Sequence, residues 1–279
     1  MNYRHAFHAG NFADVFKHII LTRVLTYAMR KDSALRYLDT HAGVGLYDLS
    51  GDEAQRTGEW HDGIERLMLY ALSPHMRDLC APYFAAMGQD SERAHYPGSP
   101  LIAQRLLRAQ DRLTLCEWHE HDHASLQRII GRDRRAKALH IDGYVALNAY
   151  VPPIEKRGVV LIDPPFESRD EFSQISRALL KATSKWPQGC YLIWYPIKDE
   201  AAIRRFHADL LRLDLPPTLS VQLYVDRISD GPLTATGLVI INPPYVLEDE
   251  LRQIMPELVA CLGRSAAAYS HLTWLVPPD

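Results

Sequence analysis

Four cysteines, Cys80, Cys116, Cys190 and Cys261, are scattered through 279 residues without a Cys-x-x-Cys pair. Such spacing excludes a disulfide framework and reads as reduced, mostly buried thiols. Thirteen histidines include no His-Glu-x-x-His, and no metal is expected. The densest histidine run is His119-Glu-His-Asp-His123. Neighbours in sequence do not share a face of a helix or strand, so this run reads as a solvated loop. No apolar run reaches the roughly 18 residues a membrane span needs, and residues 1–8 lack a signal-peptide core. A cytoplasmic protein with no membrane partner is expected. There are no internal repeats and no low-complexity tracts. The net charge of −3 gives no overall attraction for nucleic acid.

What is present is an ordinary globular composition, 47% hydrophobic and 23% charged, with length for one large α/β domain carrying an insertion. The charge is unevenly spread. In residues 1–31, Arg4, Lys17, Arg23, Arg30 and Lys31 face a single acid, Asp14. A second basic run is Arg132-Asp-Arg-Arg-Ala-Lys137, with Arg128 nearby. Local basic patches on an acidic chain are compatible with reading a defined nucleic-acid feature, and equally with solvated faces.

The most informative stretch is Gly158-Val-Val-Leu-Ile-Asp-Pro-Pro-Phe166. Its continuous β-branched run suits a strand buried on both faces of a parallel sheet. Pro164 and Pro165 end the strand, because proline cannot donate to the ladder. Asp163 is then left at the carboxyl edge, where open α/β sheets bind ligands. Asp-Pro-Pro-Phe resembles the signature of methyltransferases that alkylate a planar amino or amide nitrogen. In such chemistry the Asp163 carboxylate and the Pro164 carbonyl accept the two N–H groups. Phe166 supplies a stacking face.

Other strands carry acids at their ends in the same way. Leu35-Arg-Tyr-Leu-Asp39 leads into Thr40-His-Ala-Gly-Val-Gly45, a glycine turn that lets backbone approach a ligand. Leu113-Thr-Leu-Cys-Glu117 is next, with Glu117 placed to accept ribose hydroxyls. Ala138-Leu-His-Ile-Asp142 follows, with Asp142 placed to accept an adenine amino group and Gly143 leaving room. Upstream, Asn11 caps a helix whose apolar face is Phe12, Val15, Phe16, Ile19, Ile20 and Val24. Asp14, Lys17 and His18 lie opposite, toward solvent or a pocket. Residues 46–98 hold two helix-like segments, near 60–72 and 75–88, and no convincing strand; they read as a helical insertion subdomain. Ser99 then caps a helix with Pro100 at its first position, leaving free N–H groups at the ligand edge. Downstream, strands are expected near 190–196, 220–225, 236–241 and 271–275, with helices at 199–213 and 247–262. The loop from Arg227 to Pro232 reads as close to substrate. Asn242-Pro-Pro-Tyr245 matches the methyltransferase signature a second time. It follows a late strand expected to run antiparallel, so a structural, strand-ending role is assigned to it.

Together these blocks resemble one family over nearly the whole chain: the bacterial 23S ribosomal RNA adenine-N6 methyltransferases of the large-subunit methyltransferase J type. The resemblance rests on Tyr3-Arg-His-Ala-Phe-His-Ala-Gly-Asn11, Asp14 with Lys17-His18, Leu38-Asp-Thr-His-Ala-Gly-Val-Gly45 and Arg56-Thr-Gly-Glu59. It continues in Tyr96-Pro-Gly-Ser-Pro-Leu-Ile-Ala103, Asp142-Gly143, Leu161-Ile-Asp-Pro-Pro-Phe166, Trp194-Tyr-Pro196 and Ile241-Asn-Pro-Pro244. It implies a Rossmann-like class I S-adenosylmethionine-dependent methyltransferase fold. That fold has a mainly parallel seven-stranded sheet, a single domain over 1–279 and the 46–98 insertion. It implies S-adenosyl-L-methionine contacts at His18, His41, Ser99, Glu117, Asp142, Gly143 and Asp163, with Asp163 also catalytic. Tyr3, His5 and Lys17 would meet the substrate base together with Pro164 and Phe166; the family more often has tyrosine at the last position. The implied substrate is N6 of adenine-2030 in 23S rRNA, protein-free or in an early assembly intermediate, and the implied state a monomer. Two other readings stand beside it. One is a glutamine-amide protein methyltransferase using Asn242-Pro-Pro-Tyr245. The other is a nucleotide-binding module or dinucleotide oxidoreductase sharing only the sheet, against which Gly43-Val-Gly-Leu-Tyr-Asp48 falls short of a full Gly-x-Gly-x-x-Gly.

Overall fold

In the strand Gly158–Ile162, Val159 and Leu161 join one hydrophobic cluster while Val160 and Ile162 join another. Burial on alternate sides requires a sheet covered on both faces, at about 1.5–3 kcal/mol for each such side chain. The computed structural model describes residues 4–90, 94–229 and 231–278. In chain order its elements are α1 (Phe12–Ala28), β1 (Arg36–Asp39), β2 (Leu46–Asp48), α2 (Asp52–Thr57), α3 (Ile64–Leu69), α4 (Pro74–Met87), β3 (His95–Pro97), α5 (Ser99–Leu106), β4 (Arg112–Glu117) and α6 (Glu120–Ile130). Then come β5 (Ala136–His140), α7 (Gly143–Tyr150), β6 (Gly158–Ile162), α8 (Glu171–Lys185), β7 (Cys190–Pro196), α9 (Glu200–Leu211), β8 (Thr218–Tyr224), β9 (Ala235–Ile241), α10 (Leu247–Leu262) and β10 (Tyr269–Val276).

The main sheet has the order β10-β8-β9-β7-β6-β1-β4-β5. Strands β7, β6, β1, β4 and β5 are mutually parallel. β9 runs antiparallel to both β7 and β8. This is the Rossmann-like methyltransferase fold, with one correction: the sheet has eight strands, not seven. β10 pairs antiparallel with β8 from Tyr269 to Val276 and covers an edge that would otherwise expose unpaired backbone. The chain runs outward from β1 to β4 and β5 on one side, and through β6 to β7 on the other. Ligands collect at the carboxyl edge of such a switch point.

The long first helix is the largest departure from expectation. Asn11 caps α1 as expected, its Oδ1 accepting the Ala13 and Asp14 amides at 3.0 Å. No face of the helix meets bulk solvent through its first four turns, however, and Asp14, Lys17 and His18 are buried along with the apolar residues. A helix packed all round belongs to the interior. Here α4, α5 and α10 press on α1 from outside and the sheet lies beneath. The segment between β1 and α5 supplies α4 to that cover. It is not wholly helical: β2 and β3 form a small antiparallel ribbon, Tyr47 opposite Tyr96, three residues a side and too short for a periodicity signal. Among its helices, α2 was not foreseen, α3 is shorter than the expected segment, and α4 has the expected length but starts one residue earlier. His119-Glu-His-Asp-His123 is not a loop; it caps and opens α6. Within the second basic run, Arg135 is consumed by structure, bonding Asp133 at 2.6 Å and the Gln104 carbonyl at 2.8 Å. No helix is long and apolar enough to cross a membrane among the described residues.

Candidate active site

Asp163 follows β6, and β6 lies beside β1 with Leu161 opposite Asp39. The Thr40 amide and hydroxyl both donate to the Leu161 carbonyl at 3.0 Å. The Asp-Pro-Pro turn and the Thr40–His41 turn are thereby tied edge to edge. The Asp163 side chain is largely buried at 15% exposure.

The charge on Asp163 is met from α1. Lys17 Nζ donates to Asp163 Oδ2 at 2.5 Å and lies 2.9 Å from Asp14 Oδ1. Burial opposes an ammonium at Lys17, but the Asp14 and Asp163 carboxylates outweigh it and raise the lysine pKa. Burial likewise opposes a charged Asp14, yet His5 and Lys17 hold its pKa well below the usual carboxylate value. Asp14 Oδ2 also lies 2.9 Å from His5 Nε2 and accepts the Gly10 amide at 3.0 Å. A chain of contacts therefore runs His5, Asp14, Lys17, Asp163. It joins the N-terminal segment to the end of β6 across 158 residues of sequence. Tyr3 lies outside the described residues.

Aromatic rings surround this chain. Phe166 sits at φ +51°, uncommon for a bulky residue and typical of functional turns. Its ring meets Phe172 and Trp194 edge-on, centroids 5.0 and 5.8 Å away. The Trp194 ring lies 5.6 Å from Lys17 Nζ. The Trp194 indole N–H is buried without a hydrogen-bond acceptor among the described residues. Buried donors are as a rule satisfied by protein, water or a ligand. Trp194 was visible in the sequence only as part of a strand and of one block of the family resemblance, with no role of its own.

The remaining expected cofactor residues come from α1 (His18), from the ends of β1 and β4 (His41, Glu117) and from the starts of α5 and α7 (Ser99, Asp142, Gly143). Asp39 is fully buried and accepts from the Ser99 hydroxyl at 2.6 Å, the Tyr37 hydroxyl at 2.8 Å and the His41 amide at 3.3 Å. Burial lifts its pKa to about 6. Ser99 is the first residue of α5 rather than its cap, which is Gly98; its hydroxyl serves Asp39 instead of the helix. Burial pushes His41 down to about 4 and His18 down to about 3, so both imidazoles are neutral near pH 7. His18 Nδ1 pairs with the Tyr96 hydroxyl at 2.8 Å. Glu117 accepts the Gly43 and His119 amides at 2.9 and 2.7 Å, and burial raises its pKa. Asp142 lies beyond β5 rather than within it. It caps α7 by accepting the Val145 amide at 2.9 Å, so its Oδ2 is left without a donor among the described residues.

Glycines at this edge are demanded by space. Gly43 and Gly45 have φ +63° and +86°. A Cβ at Gly143 would stand 2.2 Å from the Thr40 carbonyl oxygen and 2.9 Å from His41 Cε1. The α7 N-terminus thus abuts the β1 turn, forming with Glu117 and Asp142 a cradle of acids and open amides suited to a nucleoside carrying hydroxyl and amino donors.

The Arg56-Thr-Gly-Glu59 block proves to be a clamp. Glu59 lies 3.0 Å from His8 Nδ1 and accepts from Asn11 Nδ2 at 3.0 Å, and the Thr57 hydroxyl donates to the Phe7 carbonyl. Arg4 pairs with Glu53 at 2.6 Å. The second signature lies elsewhere. Because β9 is antiparallel to β7, Asn242 emerges at the opposite sheet edge, where Nδ2 donates to the Gly189 carbonyl at 2.9 Å and also to the Pro187 carbonyl.

Residues 32–276 match the family model described as ribosomal RNA large subunit methyltransferase D, RlmJ (RsmJ). Ribosomal RNA large subunit methyltransferase J of Escherichia coli K12 is 36% identical over 278 residues, 99% of each chain. The protein of that name from Haemophilus influenzae Rd is 37% identical over 282 residues, again 99% of each. A solved Legionella pneumophila protein, 35% identical, superposes with a TM-score of 0.87 over 95% of this chain and 98% of its own.

Proposed function

The chain belongs to the ribosomal RNA large subunit methyltransferase J family, and from that membership we propose that it methylates N6 of an adenine in 23S rRNA, adenine-2030, using S-adenosyl-L-methionine. The observation that carries the reading is the Asp163 carboxylate, held by buried Lys17 beside Phe166 and Trp194 at the edge where β1 and β6 part.

S-adenosylmethionine, when bound, brings a methyl group already activated on sulfonium. His18, His41, Ser99, Glu117, Asp142, Gly143 and Asp163 would hold it. The fit rests on the close approach of the α7 N-terminus to the β1 turn, which only glycine at 143 allows, and on the acids Glu117 and Asp142, suited to ribose hydroxyls and an adenine amino group. The protein's task is then orientation and charge management. Asp163 and the Pro164 carbonyl accept the two N6 hydrogens and turn the nitrogen lone pair out of the ring plane. Phe166 holds the flat base, and the Trp194 N–H is available to a base acceptor. Lys17 holds Asp163 in place. Asp163 needs no raised basicity, because N6 becomes acidic only as its bond to carbon forms. His5, through Asp14, couples the N-terminal segment with Tyr3 to this centre. A single domain over 1–279, with residues 46–98 as its inserted cover, and a monomer suffice for these roles.

The deciding experiment is tritiated methyl transfer onto protein-free large-subunit RNA, assembled subunits and protein extract, with mapping of the labelled nucleoside. Label in N6-methyladenine of RNA is expected, and its absence there with label in protein overturns the reading. Asp163→Ala should abolish transfer while S-adenosylhomocysteine affinity stays within about tenfold.

A further inference from the structure

β7 ends two residues after Trp194, and its continuation lines a second cleft on the same sheet edge. This open cleft has a volume of about 620 Å³ and includes Lys198, Tyr224, Arg227, Ile228 and Tyr269. That is within the range of ligand-sized sites, about 300–1,000 Å³. A shallower groove continues from it past Lys198 and Ile228 to Pro232 and Leu233. Because β8 is parallel to β7 while β10 is antiparallel to β8, Tyr224 and Tyr269 both come to the edge that carries Asp163.

The two tyrosines are stacked, with ring centroids 4.2 Å apart and planes within 8°. Tyr224 is buried and Tyr269 is 46% exposed, so the pair is a stack that ends at solvent. Lys198 and Arg227 are exposed, and neither side chain makes an ion pair or hydrogen bond among the described residues. The acids nearby are engaged. Asp226 accepts the Ser265 hydroxyl at 2.6 Å, Asp199 caps α9 through the Ala201 amide at 2.8 Å, and Glu200 lies 3.5 Å from Arg204.

We propose that this cleft is a subsite for a single-stranded RNA nucleotide flanking the target adenine, its base extending the Tyr224–Tyr269 stack and its phosphates meeting Lys198 and Arg227. The inference rests on the RNA methyltransferase reading above. A continued aromatic stack accepts any base face, and unpaired cations beside it suit a phosphate backbone; this is the combination single-strand binders use. From β6 to β8 is three strand spacings, roughly 14 Å, or about four stacked nucleotides. The bound nucleotide is accordingly expected within a few positions of the target, not at it.

Steady-state methyl transfer on an RNA hairpin carrying the target with its flanking single strand tests this, using the full chain. Tyr269→Ala is expected to raise KM for RNA about tenfold with kcat within about twofold and S-adenosylhomocysteine binding unchanged. Tyr269→Phe keeps the ring and should restore wild-type KM. The double variant Lys198→Ala/Arg227→Ala should flatten the salt dependence of RNA binding by about 1.4 in log–log slope. An unchanged KM in Tyr269→Ala, or a Tyr269→Phe variant as impaired as the alanine, overturns the proposal. If the wild type transfers no methyl to RNA, the function proposed above fails. Direct RNA binding by fluorescence anisotropy still judges the cleft, and indifference of that binding to Tyr269→Ala overturns it separately.

Discussion

Lys17 Nζ and Asp163 Oδ2 meet at 2.5 Å inside the protein, one from the first helix and one from the end of the central strand. Lys17 is also 2.9 Å from Asp14 Oδ1, so one buried cation serves two carboxylates. Removing it takes the cation from Asp163 and leaves Asp14 with only His5 and the Gly10 amide. Lys17→Met is expected to cost about 3–5 kcal/mol of stability and to lower the melting temperature by roughly 6–15 °C. Asp163→Asn leaves Lys17 its Asp14 partner and should cost much less. Calorimetry on the two variants checks the order, and equal melting temperatures would contradict it.

Acid should weaken the fold through two histidines, against a smaller opposing effect from Asp39. His18 and His41 have folded pKa values pushed down by burial to about 3 and about 4. Their contribution is present above the ordinary histidine value of 6.5 and is lost as pH falls through the folded values. Asp39 is raised by burial to about 6, so its contribution is present below 3.8 and lost as pH rises through 6. Between pH 4 and 6 two groups favour higher pH and one favours lower, so net stability rises with pH. Asp39→Asn should steepen that rise and gain on the order of 2–3 kcal/mol at pH 7.5, with little gain at pH 4. Urea titrations across pH read this directly, and a gain at pH 4 equal to that at pH 7.5 would refute it.

Gly143→Ala should damage the proposed cofactor cradle more than its size suggests. The added Cβ would stand 2.2 Å from the Thr40 carbonyl oxygen, and that carbonyl belongs to backbone tied to β6. Either α7 or the β1 turn must shift. Isothermal titration should show S-adenosylhomocysteine affinity falling at least tenfold. Unchanged affinity would show that the α7 N-terminus takes no part in binding.

Asn242→Ala distinguishes the two signature tetrapeptides. Asn242 holds φ +50°, which asparagine tolerates better than alanine, and its amide donates to the Pro187 and Gly189 carbonyls. The variant should lose about 1–3 kcal/mol of stability yet keep its kcat below its melting temperature. Loss of turnover at full stability would revive the glutamine-amide reading.

The strands, their acidic tips and the proline stops were legible in the sequence because each is a local pattern: apolar runs ended by Asp163-Pro-Pro, by Glu117 or by the Gly43–Gly45 turn. The antiparallel direction of β9 was legible too, from its place after a completed parallel series. What lay beyond reach depends on distant partners. Asp14, Lys17 and His18 occupy what reads as a polar face, and only the packing of α4, α5 and α10 over α1 turns that face into interior. Ser99 caps by local rule, but a fully buried Asp39 sixty residues earlier takes its hydroxyl. Glu59 is an unremarkable acid until His8 and Asn11 fold onto it. The Tyr224–Tyr269 stack exists only because an eighth strand pairs beside β8. Sequence alone thus determined the sheet and which side chains reach its carboxyl edge, since periodicity and breakers act over a few residues. Tertiary structure decided which charges are buried together there, because burial is a property of what packs above, and no local pattern encodes that.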